Sequence, residues 1–355
     1  MPFYFTTPTL SCVHMSVPMS SFASTFDPVA FKAQYDTQGY AVAKGVFSAP
    51  EIAALKARFD AWRLEMVEKH EATYVLGNHR VWVGDSGGQG GEGSAKRVLR
   101  GVQWPSYTDA TLDAFRTDGR LFALASALLG SGDIKQIINQ MHWKQPGSLT
   151  QWRYHQDVRA RKPEAAFREL FSSYINLGIA VERQTEETGA MRVIPGSHLA
   201  RKDLGIEAIA EEMGVDAHPP TEGELAEMLR RAGVDAGELR TLELAPGDVG
   251  VWNPFVVHGG GINTSKDCHR SMYIQGYGKA ANLDRGHVAW LGGVAQPLGE
   301  PVLVQLENFR ETLAEGGRYY RVHGAESTKL DRDIEREAAE KAAAAEARMI
   351  NLVRD

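Results

Sequence analysis

Two hydrophobic periods divide this chain. In "FSAPEIAALKARFDAWRLEMVEKH", Ile52, Leu55, Phe59, Trp62 and Met66 recur every three or four residues. That spacing gives a helix one apolar face. Ser48 and Glu51 stand at capping-box spacing, and Pro50 falls in the first turn, where a missing N–H costs little. A helix is predicted there, with a short strand in "GYAVAKGVF" just before it. A second helical region covers about 109 to 129 and stops at Gly130.

From residue 133 onward the pattern is that of strands. "IKQIINQMHWKQ", "WRYHQDVR", "FSSYINLGIAVE", "GAMRVIPGS", "LRTLELAPGDVGVWN" and "CHRSMYIQGYG" are short β-branched and aromatic runs punctuated by Gly, Pro and Asn. Such runs predict a mainly β domain, a sandwich or barrel, with flanking helices. A helical insertion at about 201–240 interrupts them: "KDLGIEAIAEEMG", then "TEGELAEMLRRAG" with Thr221 and Glu224 as a capping box and Gly233 as its stop. At the C-terminus, 326–355 reads as a further helix. Leu330, Ile334, Ala338, Ala342, Ala345, Met349 and Leu352 form a thin stripe that would pack on the domain or on a partner subunit in a homodimer. Residues 1–26, rich in Ser and Thr and without Lys or Arg, read as a disordered or loosely docked arm. That leaves 27–325 as one domain. There are no internal repeats.

Composition narrows the classes. Over 355 residues, 43% hydrophobic and 24% charged content describe a soluble globular chain. A net charge of −6 argues against a general nucleic-acid binder. No apolar run is long enough for a membrane span. Cys12 and Cys268 make no disulfide framework, so a reducing cytoplasm is the expected setting. The arm lacks the basic start of a secretory signal and the arginines of a transit peptide. The glycine-dense "GDSGGQGGEGSAKRVLRG" lacks the Gly-Lys-Ser/Thr ending of a phosphate-binding loop and reads as a surface loop or an active-site lid.

The candidate chemistry sits in "WRYHQDVRAR". On a strand, residues two apart share a face, so His155 and Asp157 project together with Gln156 opposite. Alone, such a pair is more often a solvated or hydrogen-bonded one. His258, in "NPFVVHGGGIN", follows a β-like run and precedes small residues that would let a metal approach. Two histidines and one carboxylate form a facial triad that holds Fe(II) and leaves positions open for O2 and a co-substrate. Arg270, twelve residues after His258, would face the same barrel mouth. A semi-buried guanidinium can grip a carboxylate by two parallel hydrogen bonds, which suits the distal carboxylate of 2-oxoglutarate.

"YHQD", "TGAMRVIPGSH", "APGDVGVWNPFVVHGGGIN" and "HRSMYIQGYG", in that order, resemble the motifs of the phytanoyl-CoA dioxygenase (PhyH-like) family, and "YDTQGYAVAKGVFSAPEIAALKARF" resembles its entry strand and helix. The resemblance spans about residues 35 to 280 and implies a double-stranded β-helix, a cupin-like jelly roll. Carried over by position, it implies His155, Asp157 and His258 as iron ligands and Arg270 as the 2-oxoglutarate clamp, with Lys144 a weaker match to a polar residue near the co-substrate. It also implies oxidation of a small metabolite, with succinate and CO2 as co-products. Asp157 favours hydroxylation over halogenation, because halogenating relatives carry a small residue there.

Arg153 and Arg159 share the strand face of His155 if the alternation holds; with Arg161 they read as a solvated charge run, the alternative being recognition of an anionic substrate. Trp152, Trp252 and Phe255 are candidate pocket walls, with Trp252 the one assigned to substrate. His198 reads as a turn residue, and the insertion as a candidate substrate cover. Two other readings stay open: a redox-inactive metal enzyme, which needs the triad but not Arg270, and a non-catalytic small-molecule binder.

Overall fold

A computed structural model of the protein describes residue 22 and residues 26–69, 74–76, 79–85, 97–147, 151–161, 164–215, 220–234 and 239–298. Its strands are β1 (Tyr40–Ala43), β2 (Tyr74–Leu76), β3 (His79–Asp85), β4 (Arg97–Gln103), β5 (Ile134–Lys144), β6 (Trp152–His155) and β7 (Tyr174–Ala180). They continue as β8 (Met191–Val193), β9 (Arg240–Thr241), β10 (Val249–Trp252), β11 (His258–Gly260), β12 (Arg270–Lys279), β13 (His287–Leu291) and β14 (Val294–Ala295). Ten of them form one sheet, ordered β1-β10-β7-β12-β5-β4-β3-β2 with β13 and β14 off this path. The other four form a second sheet, β6-β11-β8-β9. All pairings between these strands are antiparallel. The two sheets make the expected jelly roll without closing into one continuous barrel.

The two-residue period of the strands sorts the larger sheet. On β7, Ile175, Leu177 and Ile179 enter the core beneath the helices, as do Val249 and Val251 on β10, Met141 and Trp143 on β5, and Tyr273 and Tyr277 on β12. The alternate positions face the second sheet: Ala180, Trp252 and Met272 pack there against Met191, Val193 and Val256. Gly178 belongs to this inner set, where an added Cβ would lie 2.6 Å from the Met272 sulfur. Polar residues between the sheets are therefore exceptions imposed by the site, because an apolar side chain would satisfy the same packing.

Four helices cover the outer face: α1 (Pro28–Gln38), α2 (Ala49–Lys69), α3 (Ala110–Arg116) and α4 (Gly119–Leu129). The predicted apolar stripe of α2 is buried through Ile52, Leu55, Phe59 and Trp62. The single helical region expected at 109–129 is two helices, because Asp118 ends the first and caps the second by accepting the Arg120 N–H at 2.8 Å. Phe22 and Phe26, from the end of the expected arm, stack at 5.1 Å and join the core. The rest of that arm, residues 86–96 of the glycine-dense stretch and the C-terminal helix at 326–355 lie outside the described residues.

The insertion holds α5 (Ile206–Glu212) and α6 (Glu222–Arg231), the latter with the full Thr221/Glu224 capping box. Both pack on Tyr154, Ile194 and Val257, behind the smaller sheet. The described residues of the insertion thus brace that sheet from outside, and none of them lines the cavity between the sheets.

At the start of α2, the Glu51 carboxylate accepts the Ser48 N–H at 2.8 Å and the Ser48 hydroxyl at 2.6 Å, and pairs with Arg120 of α4 at 2.6 Å. Partial burial would raise the Glu51 pKa, but Arg120 and Ser48 outweigh it and bring the group from 4.5 down to about 2. A depressed folded-state pKa adds stability above the unfolded value, and that stability is lost as pH falls through the folded one. Glu51→Gln is therefore expected to lower the urea midpoint at pH 7, with the gap to wild type closing between pH 4.5 and about 2. A gap that stays constant across that window contradicts the ion-pair account.

Candidate metal centre

β6 and β11 are neighbours, and His155 and His258 are directly paired across them. Their rings lie 4.3 Å apart between centroids. The strand does not continue to Asp157 as expected. β6 ends at His155, and Asp157 opens a 3-10 turn over Asp157–Ala160, anchored by the Val158 N–H on the Pro254 carbonyl at 3.0 Å. Alternation still holds across the junction, since Gln156 stays extended and points away, donating to the Phe255 carbonyl at 2.6 Å and accepting the Leu204 N–H at 2.6 Å. Candidate ligand atoms of His155, Asp157 and His258 all lie within 4.8 Å of one another.

The surroundings prepare these atoms. His155 Nδ1 contacts the Arg153 carbonyl at 2.7 Å, and His258 Nδ1 the Val256 carbonyl at 3.0 Å. A carbonyl only accepts, so each Nδ1 carries the proton and each neutral ring keeps its Nε2 lone pair for the centre. Those two nitrogens sit 3.6 Å and 3.5 Å from the Asp157 oxygens Oδ1 and Oδ2. Asp157 Oδ2 accepts the Asn176 amide at 2.6 Å and the Trp252 indole N–H at 2.9 Å. Burial alone would raise the Asp157 pKa, but His258, His155 and Arg161 hold it well below the usual carboxylate range. His258 is pushed down to about 4 by burial and by His155, while His155 is raised because Asp157 outweighs its burial. The centre is thus a part-buried, ionised carboxylate facing two nitrogen donors.

Asn176 belongs to a relay. The Arg161 guanidinium donates to the Tyr174 hydroxyl at 3.0 Å, and that hydroxyl donates to Asn176 Oδ1 at 2.5 Å, which fixes which end of the amide faces Asp157. Sequence reasoning did not single out Asn176 or Tyr174. The signal was the lone amide inside "YINLGIA", a strand buried at every position, because a buried amide must have a partner.

The triad opens on a cavity of about 250 Å³ between the sheets. The inner positions of β5 and β12 line it: Ile138, Gln140 and His142, and Arg270, Met272 and Ile274. Trp152 stacks on His142 at 4.7 Å and 14°, forming one wall. Burial, Arg270 and Lys144 push His142 down to about 3, so it presents a neutral ring. Arg270 is 3% exposed, and its guanidinium has no hydrogen-bond or ion-pair partner among the described residues. Burial alone lowers it, to about 10.

The other expected site residues are placed differently. Lys144 is paired in register with Arg270 but lies behind the cavity wall, its amine donating to the Gly189 carbonyl at 2.8 Å and to the Gly261 carbonyl. Burial and Arg270 push it down to about 6. Gly260 makes room for that amine, which would lie 3.0 Å from an added Cβ. Trp252 lines the cavity, yet its N–H is engaged by Asp157. Arg159 is half-exposed and pairs with Glu207 of the insertion, outside the cavity lining. Arg153 is exposed on β6. Phe255 is buried away from the lining, and His198 reaches the Asp36 carbonyl at 3.1 Å, holding a turn against α1.

Residues 35–272 match the phytanoyl-CoA dioxygenase (PhyH) family, and the chain belongs to it. It is therefore an oxygenase of the class that uses iron, 2-oxoglutarate and O2. One relative, "Probable alpha-ketoglutarate-dependent hypophosphite dioxygenase" of Stutzerimonas stutzeri, is 26% identical over 205 residues, 54% of this chain and 64% of that protein. Less than two thirds of that relative's length is thus spanned. A second, the 2-aminoethylphosphonate dioxygenase of an uncultured bacterium (HF130_AEPn_1), is 26% identical over 248 residues, 68% of this chain and 79% of that protein. Among solved structures, EctD from S. alaskensis with bound Fe superposes with a TM-score of 0.52 at 20% identity, covering 79% of this chain and 88% of that one. The non-heme alpha ketoglutarate dependent carbocyclase SnoK from nogalamycin biosynthesis gives 0.51 at 19%, covering 78% and 95%. These structures share the fold. No helix among the described residues is long and apolar enough to cross a membrane.

Asn176→Ala removes one of the two N–H donors to Asp157. Partners that orient a metal ligand are typically worth roughly 10- to 100-fold in affinity. Calorimetric titration with Mn(II), a redox-silent stand-in, is expected to show a loss of that order. An affinity within about twofold of wild type would remove Asn176 from the metal site.

Proposed function

We propose that the protein hydroxylates an unactivated carbon of a small metabolite, with His155, Asp157 and His258 holding Fe(II) and Arg270 holding 2-oxoglutarate. The donor set fits the metal: two imidazole lone pairs and one ionised carboxylate, with no cysteine to favour a closed zinc site. The observation that carries the co-substrate is Arg270, a buried cation without an acid, lining the triad's cavity. Leaving such a charge uncompensated is costly, and a ligand carboxylate compensates it by parallel hydrogen bonds. A redox-inactive metal enzyme has no use for that residue.

The chemistry that iron supplies when bound is oxidative: 2-oxoglutarate gives succinate and CO2, one oxygen atom of O2 entering succinate and the other the substrate carbon. The chain's own residues prepare this. Arg270 binds the distal carboxylate and so aims the keto-acid end of 2-oxoglutarate at the triad. Asn176 and Trp252 hold the Asp157 carboxylate in one orientation and keep it ionised. Met191, Met272, Ile274 and the Trp152–His142 stack give the cavity walls that limit water. Because Asp157 fills the third protein position, no halide site is left there, which favours hydroxylation over halogenation. The cytoplasm remains the proposed location.

Arg270→Gln is expected to weaken 2-oxoglutarate binding by about 100-fold, since truncating one partner of a buried charge pair costs roughly 2–5 kcal/mol. Mn(II) affinity should be unchanged. His155→Ala should lose both metal binding and succinate formation. A metal-loaded wild-type protein that neither binds nor decarboxylates 2-oxoglutarate sinks the reading.

A further inference from the structure

A second buried arginine shares the cavity. Arg161 ends the 3-10 turn that carries Asp157, is 2% exposed and lines the cavity near Asn176. Its guanidinium lies 4.8 Å over the Tyr174 ring and donates to the Tyr174 hydroxyl at 3.0 Å. Its one other hydrogen bond, to the adjacent Ala160 carbonyl, is long at 3.4 Å, and its Nε has no partner. No acid pairs with it among the described residues. The relay to Asn176 needs only one of its five N–H donors, and Tyr174 could be served there by any neutral donor. Asp157 feels this charge from a distance, but Nε and most of the remaining donors of the guanidinium stay without a partner inside the cavity lining.

The two cations stand at opposite ends. Arg161 contacts Tyr174, the first residue of β7. Arg270 begins β12, which runs antiparallel to β7 and pairs Met272 with Ala180 at the other end of β7. The Tyr174 hydroxyl that Arg161 meets lies beside Asn176 and Gly276, so four residues of strand separate the two levels, roughly 13 Å at about 3.3 Å per residue. Asn176, which holds Asp157, lies at the Arg161 level. A co-substrate gripped by Arg270 thus leaves Arg161 free for a different anion.

Asp157 is the one carboxylate lining the cavity among the described residues. A substrate ammonium group would find no unengaged acid there. The two curated relatives are named for phosphorus oxyanions, one of them an aminoethylphosphonate whose amine would find no unengaged acid among the described residues of this cavity.

We propose that Arg161 is the substrate clamp, holding an oxyanion headgroup, phosphonate or carboxylate, of a substrate that carries no cationic group. This deepens the oxygenase reading and rests on it, since it takes Arg270 as the co-substrate's residue.

The test is anaerobic calorimetry on the full chain loaded with Fe(II) and 2-oxoglutarate. The probes are propylphosphonate, butyrate and the neutral diethyl propylphosphonate. Wild type should bind at least one anion and not the ester, and the tighter anion identifies the headgroup. Arg161→Gln should weaken that anion at least tenfold while 2-oxoglutarate affinity stays within twofold, and Arg161→Lys should restore part of the loss. Tyr174→Phe, which breaks the relay but keeps the charge, should leave anion affinity within threefold. Binding of the ester as tightly as the anions, or of no probe, overturns the proposal. So does an equal loss of anion affinity in Tyr174→Phe, which makes the role structural, or an equal loss of 2-oxoglutarate affinity in Arg161→Gln, which assigns Arg161 to the co-substrate. If wild type binds no 2-oxoglutarate, the oxygenase reading fails by itself. The same anion titrations on metal-loaded protein then still decide whether Arg161 is an anion site.

Discussion

The Asp157 carboxylate joins the two sheets at the point where the chemistry must happen. It leaves the end of β6 in the smaller sheet and accepts N–H donors from β7 and β10 of the larger one. Both donors fall on Oδ2, while Oδ1 accepts no hydrogen bond among the described residues and faces His155 Nε2. A carboxylate so held has one oxygen spent on orientation and one available to a metal. Both histidines use the same device within single strands, each tying Nδ1 to the carbonyl two residues back. The centre is thus rigid through backbone and cross-sheet contacts, and α5 and α6 stiffen its sheet from behind.

Charge is the second constraint. Arg270 and Arg161 line the cavity, Lys144 lies just behind it, and Asp157 is the acid that faces them among the described residues. Burial pulls Arg270 down, and burial together with Arg270 pulls Lys144 down, so a positive charge is costly in this poorly solvated space. Such an arrangement is at its least favourable without ligands. On the proposed reading, metal would neutralise the triad and anions the arginines, and a ligand that binds only the folded state stabilises it. Arg159 shows the contrast: it is half-exposed, paired with Glu207 and needs no ligand to satisfy it.

Much of this was legible in the chain, and the gaps have physical causes. Periodicity located α2, β1, β5, β7 and β12 because each buries a regular face. The triad and Arg270 were legible because strand parity and order bring them to one side, and the structure does gather them around one cavity. The break at Asp118 went unread because one capping aspartate inside a helical pattern looks like any surface acid. β13 and β14 were missed because they are short edge pieces, β13 on β5 and β14 on β13, whose pairing is set by tertiary packing. "WRYHQDVRAR" looked like one strand, yet only its first residues pair, and the turn after His155 decides which arginines reach the cavity. Alternation pointed to Arg153 and Arg159. The 3-10 turn instead buries Arg161 and leaves Arg159 outside.

The fold does not by itself select a reaction, since the same fold serves the carbocyclase SnoK. What differs among such enzymes is which substrate bond is presented to the centre. Presentation is a matter of fixed points: reactive atoms must be held about 3–3.5 Å apart for a near-attack geometry. Here the insertion contributes none of the described residues in the lining, so it sets no such point. The walls come from the inner faces of β5 and β12 and from Trp82, Trp152 and Trp252. Apolar walls restrict shape but do not fix a substrate along the cavity's length. A charged anchor does, because moving an anion off a buried guanidinium forfeits both hydrogen bonds and charge pairing. With Arg161 as the proposed anchor, selectivity would follow from its distance to the triad, and the carbon oxidised would be the one lying that far from the substrate's anionic end.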